Sequence, residues 1–299
     1  MIGSLNVDLV ANVQDLPRTG ETVLARGSLA VLCGGKGANQ ALAAARLGAR
    51  TAMVGRVGVD EHGQRLRQAL QKDGVDCSAV LQTPGASSGV AMISVDAAGR
   101  NSIVVVQGAN GSLVLVDVEC PLANIVPRSI VVMQLEVPMA TVVRAAELAK
   151  ARGATVLLNP SPAQPLPQGL LAMVNVLVLN DAEATDISGV TIRSSDDAYR
   201  AAEALLALGP ESVLLTMGAQ GVVICTANGT CHAPAHRVAA VDTTGAGDTF
   251  VGGVATGLLE GMSLDEAVAL GQSASALQVT RHGAQSAMPY RNEITLLQR

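Results

Sequence analysis

Apolar runs with strand spacing alternate with amphipathic helical runs along most of the chain from about residue 36 onward. Parallel strand pairs need crossover connections, which are usually helices, so this order predicts a parallel sheet covered by helices on both faces. The expected fold class is therefore α/β, a three-layer sandwich with a mostly parallel central sheet. The predicted strands cover residues 51–57, 130–135, 155–159, 174–180 and 213–217, and the predicted helices cover 61–72, 141–152 and 197–208.

Two segments, residues 22–32 and 88–106, depart from this order. Strand-like residues follow one another there, with turn residues between them and no helix. We predict a small antiparallel sheet outside the main one, a candidate lid formed by about 9–33 and 84–108. Since no repeat, low-complexity stretch or long linker separates the parts, residues 1–299 are expected to form a single domain.

The start of the chain is short for a fold of this class. Asn6, Val7 and Asp8 have the character of residues that follow a strand, yet very few residues precede them. The first strand of the central sheet is therefore expected to be short or missing, which would weaken the sheet beside Asn6 and Asp8.

Charge and composition exclude several classes of function. The net charge is −5 with a pI near 5.4, and scattered lysines and arginines predict no contact with nucleic acid or a membrane surface. No run of 18 apolar residues is free of charge, Gly and Pro, and the first residues do not resemble a signal peptide, so a cytoplasmic protein is expected. With two tyrosines, one phenylalanine and no tryptophan, neither a sugar nor a base can be held mainly by aromatic stacking, and any sugar must be held by hydrogen bonds.

The stretch 241–250 places a carboxylate directly behind two glycines at the start of a helix. Gly245, Ala246 and Gly247 are predicted to form the helix N-terminus, whose N–H groups and dipole suit an anion. Asp248, on the first turn, is placed to accept a proton from an attacking hydroxyl, which indicates phosphoryl transfer. A glycine-rich turn with a capping Asp explains the same stretch without a function.

A second glycine-rich segment, residues 33–40, closes a strand and opens a helix. Its three glycines permit close backbone approach to a ligand. The segment is not a P-loop, because Lys36 is followed by Gly rather than Ser or Thr. A structural turn explains the glycines but not Lys36 and Asn39 beside them. Asn6, Asp8 and Asn39 are short polar groups suited to hydroxyl recognition.

Two further polar motifs follow predicted strands at their carboxyl ends, where ligands bind in open α/β sheets. Asn180 and Glu183 follow the strand at 174–180, and they also fit a helix cap with a completed capping box. Residues 216–221 follow the strand at 213–217 and offer glycines to a nucleotide phosphate. A plain hairpin turn explains the second motif equally well, so both interpretations stay open.

Taken together, these motifs resemble those of the ribokinase-like (PfkB) carbohydrate kinase family, in order from Gly3 to about Pro289. The resemblance implies the ribokinase-like fold and ATP-dependent phosphorylation of D-ribose at O5. A kinase for 2-deoxyribose, another sugar or a nucleoside is the alternative, and a non-catalytic regulator fits an intact Asp248 less well. The motifs are residues 3–8, 34–40, 134–136, 159–163, 180–183 and 242–248.

The resemblance also implies roles for single residues. Asp248 would be the general base, with Gly245, Ala246 and Gly247 as an anion hole for the transferred phosphoryl group. Glu183 would organise Mg²⁺ through water. The residues implied around the sugar are Asn6, Asp8, Gly34, Gly35, Lys36, Gly37, Asn39, Glu136 and Asp248. The residues implied to hold ATP are Asn180, Glu183, Thr216, Gly218, Gly221, Gly247 and Gln272.

An activating potassium ion and a homodimer paired through the lid sheet are implied as well. Asp242 would lie on the strand that leads into the anion hole. Ala287 stands where relatives often have a Ser, so Ser286 is an alternative ligand. An ion pair between Asp242 and Arg281 is the competing interpretation of this site. The residues implied for the cation are Asp242, Thr244, Gln278, Arg281, Gly283 and Ala287.

Overall fold

A computed structural model describes residues 1–294 of the chain. Within them, strands and helices alternate from residue 52 onward, apart from the lid and the last hairpin. The strands are β1 (Asn6–Asn12), β2 (Ala30–Gly34), β3 (Ala52–Gly58), β4 (Asp76–Thr83), β5 (Gly89–Val95), β6 (Asn101–Val106), β7 (Ile130–Met133), β8 (Thr155–Leu158), β9 (Val176–Asn180), β10 (Ser212–Thr216), β11 (Val222–Thr226) and β12 (Gly229–Ala233). The helices are α1 (Lys36–Arg46), α2 (Glu61–Lys72), α3 (Leu115–Ala123), α4 (Met139–Ala151), α5 (Asp181–Ser188), α6 (Ser195–Leu206), α7 (Ala246–Leu259), α8 (Leu264–Gln278) and α9 (Arg291–Ile294).

The central sheet is mostly parallel. Strands β7, β8, β9 and β10 lie side by side in parallel, and β11 and β12 extend the sheet as antiparallel strands. The parallel pair β3 and β4 continues the sheet beyond β7. Helix α4 connects β7 to β8, and α5 with α6 connects β9 to β10, as parallel pairing requires. The α/β fold expected from the sequence is confirmed.

In the described chain the first strand is reduced to one bridging residue. Ile2 pairs in parallel with Val54 of β3 and with Met133 of β7, and so joins the two parts of the sheet. Its N–H donates to the carbonyl of Val132 at 2.9 Å, and the N–H of Gly3 donates to Val54 at 3.1 Å. The expectation of a short or missing first strand is confirmed.

Helices cover both faces of the central sheet. Because side chains alternate along a strand, Leu177 and Leu179 of β9 pack in the cluster that contains α4 and α6. Val176 and Val178 pack in the opposite cluster, which contains α7 and α8. A further apolar cluster fills the space between α1, α2 and the pair β3 and β4. Among the described residues, no helix is long and apolar enough to span a membrane.

The lid is a four-stranded sheet in the order β2, β1, β5, β6. Strand β1 pairs antiparallel with β2 but parallel with β5, so the expectation of a purely antiparallel sheet is wrong. The parallel pair arises because the chain reaches β5 through β3, α2 and β4, a long crossover that restores the direction of β1. Residues 22–29 form no strand, and Leu24 is 88% exposed there. The sheet begins instead at Asn6, ahead of the expected start near residue 9.

Candidate active site

Two helices, α1 and α7, start at glycines beside the carboxyl ends of the central strands. Gly35 precedes α1 with φ of 88°, and Gly245 precedes α7 with φ of 77°. This backbone region favours glycine, and a Cβ on Gly35 would also lie 2.7 Å from the N atom of Asn6. A Cβ on Gly247 would meet no atom of residues 1–294 within 4 Å, so the N-terminus of α7, with Ala246 as its first residue, is open on this side.

Asp248 lies in the first turn of α7 and is 8% exposed. Its Oδ2 accepts a hydrogen bond from Asn39 Nδ2 at 2.9 Å, and its Oδ1 accepts one from Gln40 Nε2 at 2.9 Å. Burial raises the pKa of Asp248, while the charge of Lys36 and the two amide donors act in the opposite direction. Because these effects on its pKa oppose each other, the buried carboxylate is suited to accept a proton from a substrate.

Two more carboxylates face Asp248. Glu136 follows β7, and its Oε2 accepts the backbone N–H of Lys36 at 3.1 Å. Asp8 in β1 lies against Gly34, where any Cβ would overlap its carboxylate. Burial, followed by the charges of Glu136 and Asp248, raises the pKa of Asp8 to about 7. Within residues 1–294, the pocket therefore combines the carboxylates of Asp8, Glu136 and Asp248 with the ammonium group of Lys36.

Asn6 is held at the edge of this pocket. Its Oδ1 accepts a hydrogen bond from Asn110 Nδ2 at 2.7 Å. Asn110 also accepts the N–H of Leu5 with its Oδ1 and donates to the carbonyl of Leu5 with its Nδ2. Gly37 allows α1 to approach the start of the chain, since a Cβ there would lie 2.6 Å from the N atom of Ser4. The structure thus brings together the residues expected around a sugar.

The residues implied for ATP lie at the ends of neighbouring strands. Asn180 ends β9 and Thr216 ends β10, and the two are paired in register. Asn180 Oδ1 accepts the N–H of Glu183 at 2.8 Å, and Glu183 Oε2 accepts the N–H of Asn180 at 3.1 Å. The capping box considered from the sequence is therefore confirmed, and it fixes the Glu183 carboxylate beside the strand ends.

A glycine turn and one glutamine lie next to these strand ends. Gly218 and Gly221, with φ of 55° and 101°, bound the short turn that connects β10 to the antiparallel β11. The hairpin interpretation of 216–221 is thus confirmed. Gln272 of α8 donates to the carbonyls of Ala233 at 3.0 Å and Pro234 at 3.2 Å. It therefore joins α8 to the segment that follows β12.

Asp242 lies in a loop, so its expected position on a strand is wrong. The N–H groups of Val241 and Asp242 bond to the Val279 carbonyl at the end of α8 rather than to a strand. The Asp242 carboxylate accepts the N–H of Thr244 at 2.9 Å and the N–H of Gly283 at 2.8 Å. Burial opposes its ionisation, but the hydrogen bond from the Thr244 hydroxyl at 2.6 Å, together with these two N–H groups, outweighs burial and holds the pKa of Asp242 below its ordinary value.

The remaining residues implied for a cation surround this loop. Gln278 Nε2 donates to the Thr244 carbonyl at 2.7 Å, and Gln278 Oε1 is buried without a hydrogen-bond partner among the described residues. Ala287 is buried, and Ser286 Oγ donates to the carbonyl of His282 at 3.2 Å. Hydrogen bonds therefore connect the Asp242 carboxylate, Thr244 and Gln278 at the end of α8.

Arg281 does not pair with Asp242. Its Nη2 lies 2.7 Å from Glu293 Oε1. This ion pair anchors α9. The ion pair considered from the sequence is therefore wrong, because Arg281 and Asp242 each bond to other groups.

Several polar residues of the site were given no role from the sequence. Gln40 contacts Asp248, and Gln285 Nε2 donates to Asn39 Oδ1 at 3.0 Å. Gln40 stands next to Asn39 in the glycine-rich motif, and that adjacency is the one local signal of its position. Gln285 and Asn110 carry no such signal, because they reach the site from distant segments.

The chain is similar to known proteins over most of its length. Residues 1–291 match the profile of the pfkB family carbohydrate kinases. The chain belongs to this family. It is 40% identical to a ribokinase of Haemophilus influenzae over 293 residues, which cover 98% of this chain and 95% of that protein. It is 36% identical to a deoxyribokinase of Salmonella typhimurium over 290 residues, covering 97% and 94% of the two chains.

The fold is likewise that of the family. A solved structure of Arabidopsis thaliana ribokinase, complexed with ribose and ATP, superimposes with a TM-score of 0.90 at 31% identity. The match covers 99% of this chain and 96% of that one. The ribokinase-like fold expected from the sequence is confirmed, and the chain is an ATP-dependent sugar kinase.

Proposed function

We propose that this enzyme transfers the γ-phosphoryl group of ATP to O5 of D-ribose, with Asp248 as the general base. The observation that carries the proposal is the position of Asp248 in the first turn of α7, beside the open N-terminus of that helix. Ribokinases among the relatives support ribose as the substrate. A cytoplasmic location, where ATP is available, remains our expectation.

In the proposed reaction the ribose O5 hydroxyl gives its proton to the Asp248 carboxylate while O5 attacks the γ-phosphorus. The bond between that phosphorus and the bridging oxygen breaks, and ADP leaves with the electron pair. The N–H groups of Gly245, Ala246 and Gly247 and the dipole of α7 stabilise the negative charge of the phosphoryl group. The proton on Asp248 then passes to solvent.

Sugar recognition is assigned to polar groups. Asp8 and Glu136 accept hydrogen bonds from ribose hydroxyls, and Asn39 and Lys36 donate to ribose oxygens. The chain has too few aromatic residues to offer a stacking platform, so discrimination depends on these buried groups. A site built to bond a hydroxyl rejects an analogue that lacks it.

ATP would lie across the ends of β9 and β10, between Thr216, Gly218, Gly221 and Gln272. Asn180 would contact ATP, and Glu183 would organise the magnesium ion through water, since carboxylate oxygens suit Mg²⁺ and its bound waters. Bound magnesium neutralises charge on the phosphate oxygens. The capping box supports this assignment because it fixes the Glu183 carboxylate at the strand ends.

A potassium ion beside Asp242 completes the proposed site. The support is the group of oxygen atoms at the end of α8, including the buried Gln278 Oε1, which has no hydrogen-bond partner in the described part of the chain. A cation there would fix the direction of the Thr244–Gly247 backbone. Replacing potassium by tetramethylammonium at equal ionic strength should lower kcat, and an unchanged kcat would remove the cation from the proposal.

A kinase for 2-deoxyribose is the second candidate, supported by the deoxyribokinase relatives at 36% identity. ADP release measured across a panel of sugars and nucleosides separates the candidates. We expect ribose to exceed 2-deoxyribose in kcat/KM by at least roughly tenfold. Equal values would favour the second candidate, and the absence of transfer to any acceptor would favour a binding protein without catalysis.

A homodimer that pairs through the lid is the assembly we propose. The lid edge strand β6 is apolar and solvent-exposed on both faces: Ile103 is 50%, Val104 56% and Val105 48% exposed. An exposed apolar edge strand favours association, and the same sheet in a second copy is its natural partner.

A further inference from the structure

A chain of buried amide side chains lies behind the catalytic carboxylate. Gln40 Nε2 is 2.9 Å from Asp248 Oδ1 and 3.0 Å from Asn159 Oδ1. Gln134 Nε2 donates to Gln40 Oε1 at 2.5 Å, and Asn159 Nδ2 donates to the Val178 carbonyl at 2.9 Å. Gln40 and Gln134 are fully buried. The proposed reaction uses none of these amides.

The hydrogen bonds fix the orientation of each amide in turn. The Val178 carbonyl can only accept, so the NH₂ group of Asn159 must face it and Asn159 Oδ1 must face Gln40. Gln40 must then present its own NH₂ group, whose two hydrogens reach Asn159 Oδ1 and Asp248 Oδ1. A reversed Gln40 would direct its oxygen at two acceptors. The backbone of β9 thus determines, through Asn159 and Gln40, what Asp248 Oδ1 contacts.

The two oxygens of Asp248 are therefore not equivalent. Oδ1 bonds to Gln40, which is anchored in the protein interior, whereas Oδ2 bonds to Asn39, a residue that the proposed function places against the sugar. We propose that Gln40 is a positioning residue that holds Asp248 Oδ1 and leaves Oδ2 to take the proton of the sugar hydroxyl. The inference rests on the proposed role of Asp248 as the base.

Close helix packing supports this role. Gly252 of α7 lies against α1, where a Cβ would be 2.6 Å from Ala43 Cβ and 3.1 Å from the Gln40 carbonyl oxygen. The contact places the side chain of Gln40 directly beside Asp248. A donor to the ionised carboxylate also offsets part of the burial that raises the pKa of Asp248.

The test is Gln40→Met, which keeps the length of the side chain and removes both donors. We expect kcat to fall by roughly tenfold to a hundredfold, because the base is no longer held in line. The acidic limb of the kcat pH profile should move up by about one pH unit, because the carboxylate has lost a donor. KM for ATP should stay the same. Among the described residues, Lys36, Glu136 and Asp8 are the other charged groups that face Asp248, and all remain in the variant.

Thr141→Val is the matched control for stability. It removes another buried hydrogen bond, from Thr141 Oγ1 to the Leu113 carbonyl at 2.8 Å, on a helix outside the site. It should lower Tm without moving the pH profile. If Gln40→Met behaves like this control, with wild-type kcat and profile, the positioning role is wrong.

A second variant covers the case in which Gln40→Met does not fold. Asn159→Ala removes the acceptor that orients Gln40, so it should move the acidic limb in the same direction by a smaller amount. An unchanged profile in this variant also overturns the inference. Asp248→Asn separates the two hypotheses: an active Asp248→Asn enzyme contradicts the proposed base, whereas an inactive one with an unaffected Gln40→Met contradicts only the role of Gln40.

Discussion

Asp8, Glu136 and Asp248 share one pocket with the ammonium group of Lys36. Burial and then the two neighbouring carboxylates raise the pKa of Asp8 from 3.8 to about 7. The folded protein therefore binds this proton more tightly than the unfolded chain does. Ionised Asp8 lowers the free energy of unfolding. This loss of stability grows as pH rises from about 4 to about 7 and reaches its full size above that range.

Asp8→Asn should consequently raise the free energy of unfolding at pH 8, by at most about 4 kcal/mol for a shift of this size. The gain in the free energy of unfolding should shrink as pH falls toward 5. KM for ribose should be higher than in the wild type at every pH. Denaturant unfolding at several pH values measures the gain. Asp15→Asn, which removes an exposed carboxyl, is the matched control. A gain that does not vary with pH would contradict the electrostatic origin.

At the residue scale, the sequence predicted the parts of the site whose evidence is local. Asp248 stands beside glycines at a helix start, and Lys36 and Asn39 stand in the other glycine-rich segment. The role of Gln40 could not be predicted, because its partners Gln134 and Asn159 lie 94 and 119 positions away. Such contacts depend on how the helices pack on the sheet rather than on any local pattern.

At the element scale, the contact between α1 and α7 aligns the two halves of the site. Gly252→Ala would place a methyl group 2.6 Å from Ala43 Cβ, so the helices must separate. We expect a loss of stability of about 1–3 kcal/mol and a fall in kcat of up to about a hundredfold, since a shift near 1 Å disturbs the alignment. Gly257→Ala overpacks α7 against Ala267 of α8 instead and should lower Tm with a much smaller effect on kcat. Equal kcat losses in both variants would contradict this account.

Elements with a clear local signal were predicted closely, and elements without one were not. Helix α2 matches the prediction at 61–72 because its amphipathic spacing and the cap at Asp60 are both local. Strand β1 was missed because its partners β2 and β5 decide its conformation. Residues 22–29 carry strand-like side chains but pair with no strand among the described residues, so they remain irregular.

At the scale of the whole molecule, the exposed lid edge leads to a prediction about assembly. Light scattering should give a mass of twice the 30.3 kDa chain for the wild type. Val104→Asp should shift the mass toward one chain, because a charge on an apolar interface is costly to bury. Val126→Asp changes a comparably exposed apolar residue outside the lid, so it should leave the mass unchanged. A monomeric wild type would contradict the proposed homodimer.

The central claim is that Asp248 acts as the base in phosphoryl transfer to ribose, and the most direct test is kcat of Asp248→Asn. We expect kcat to fall by about 10²- to 10⁴-fold, because the amide keeps the size of the side chain but cannot take the proton. Calorimetric titration should show ribose and ATP binding within a few-fold of wild type. A variant that binds both substrates and keeps a near-normal kcat would contradict the claim.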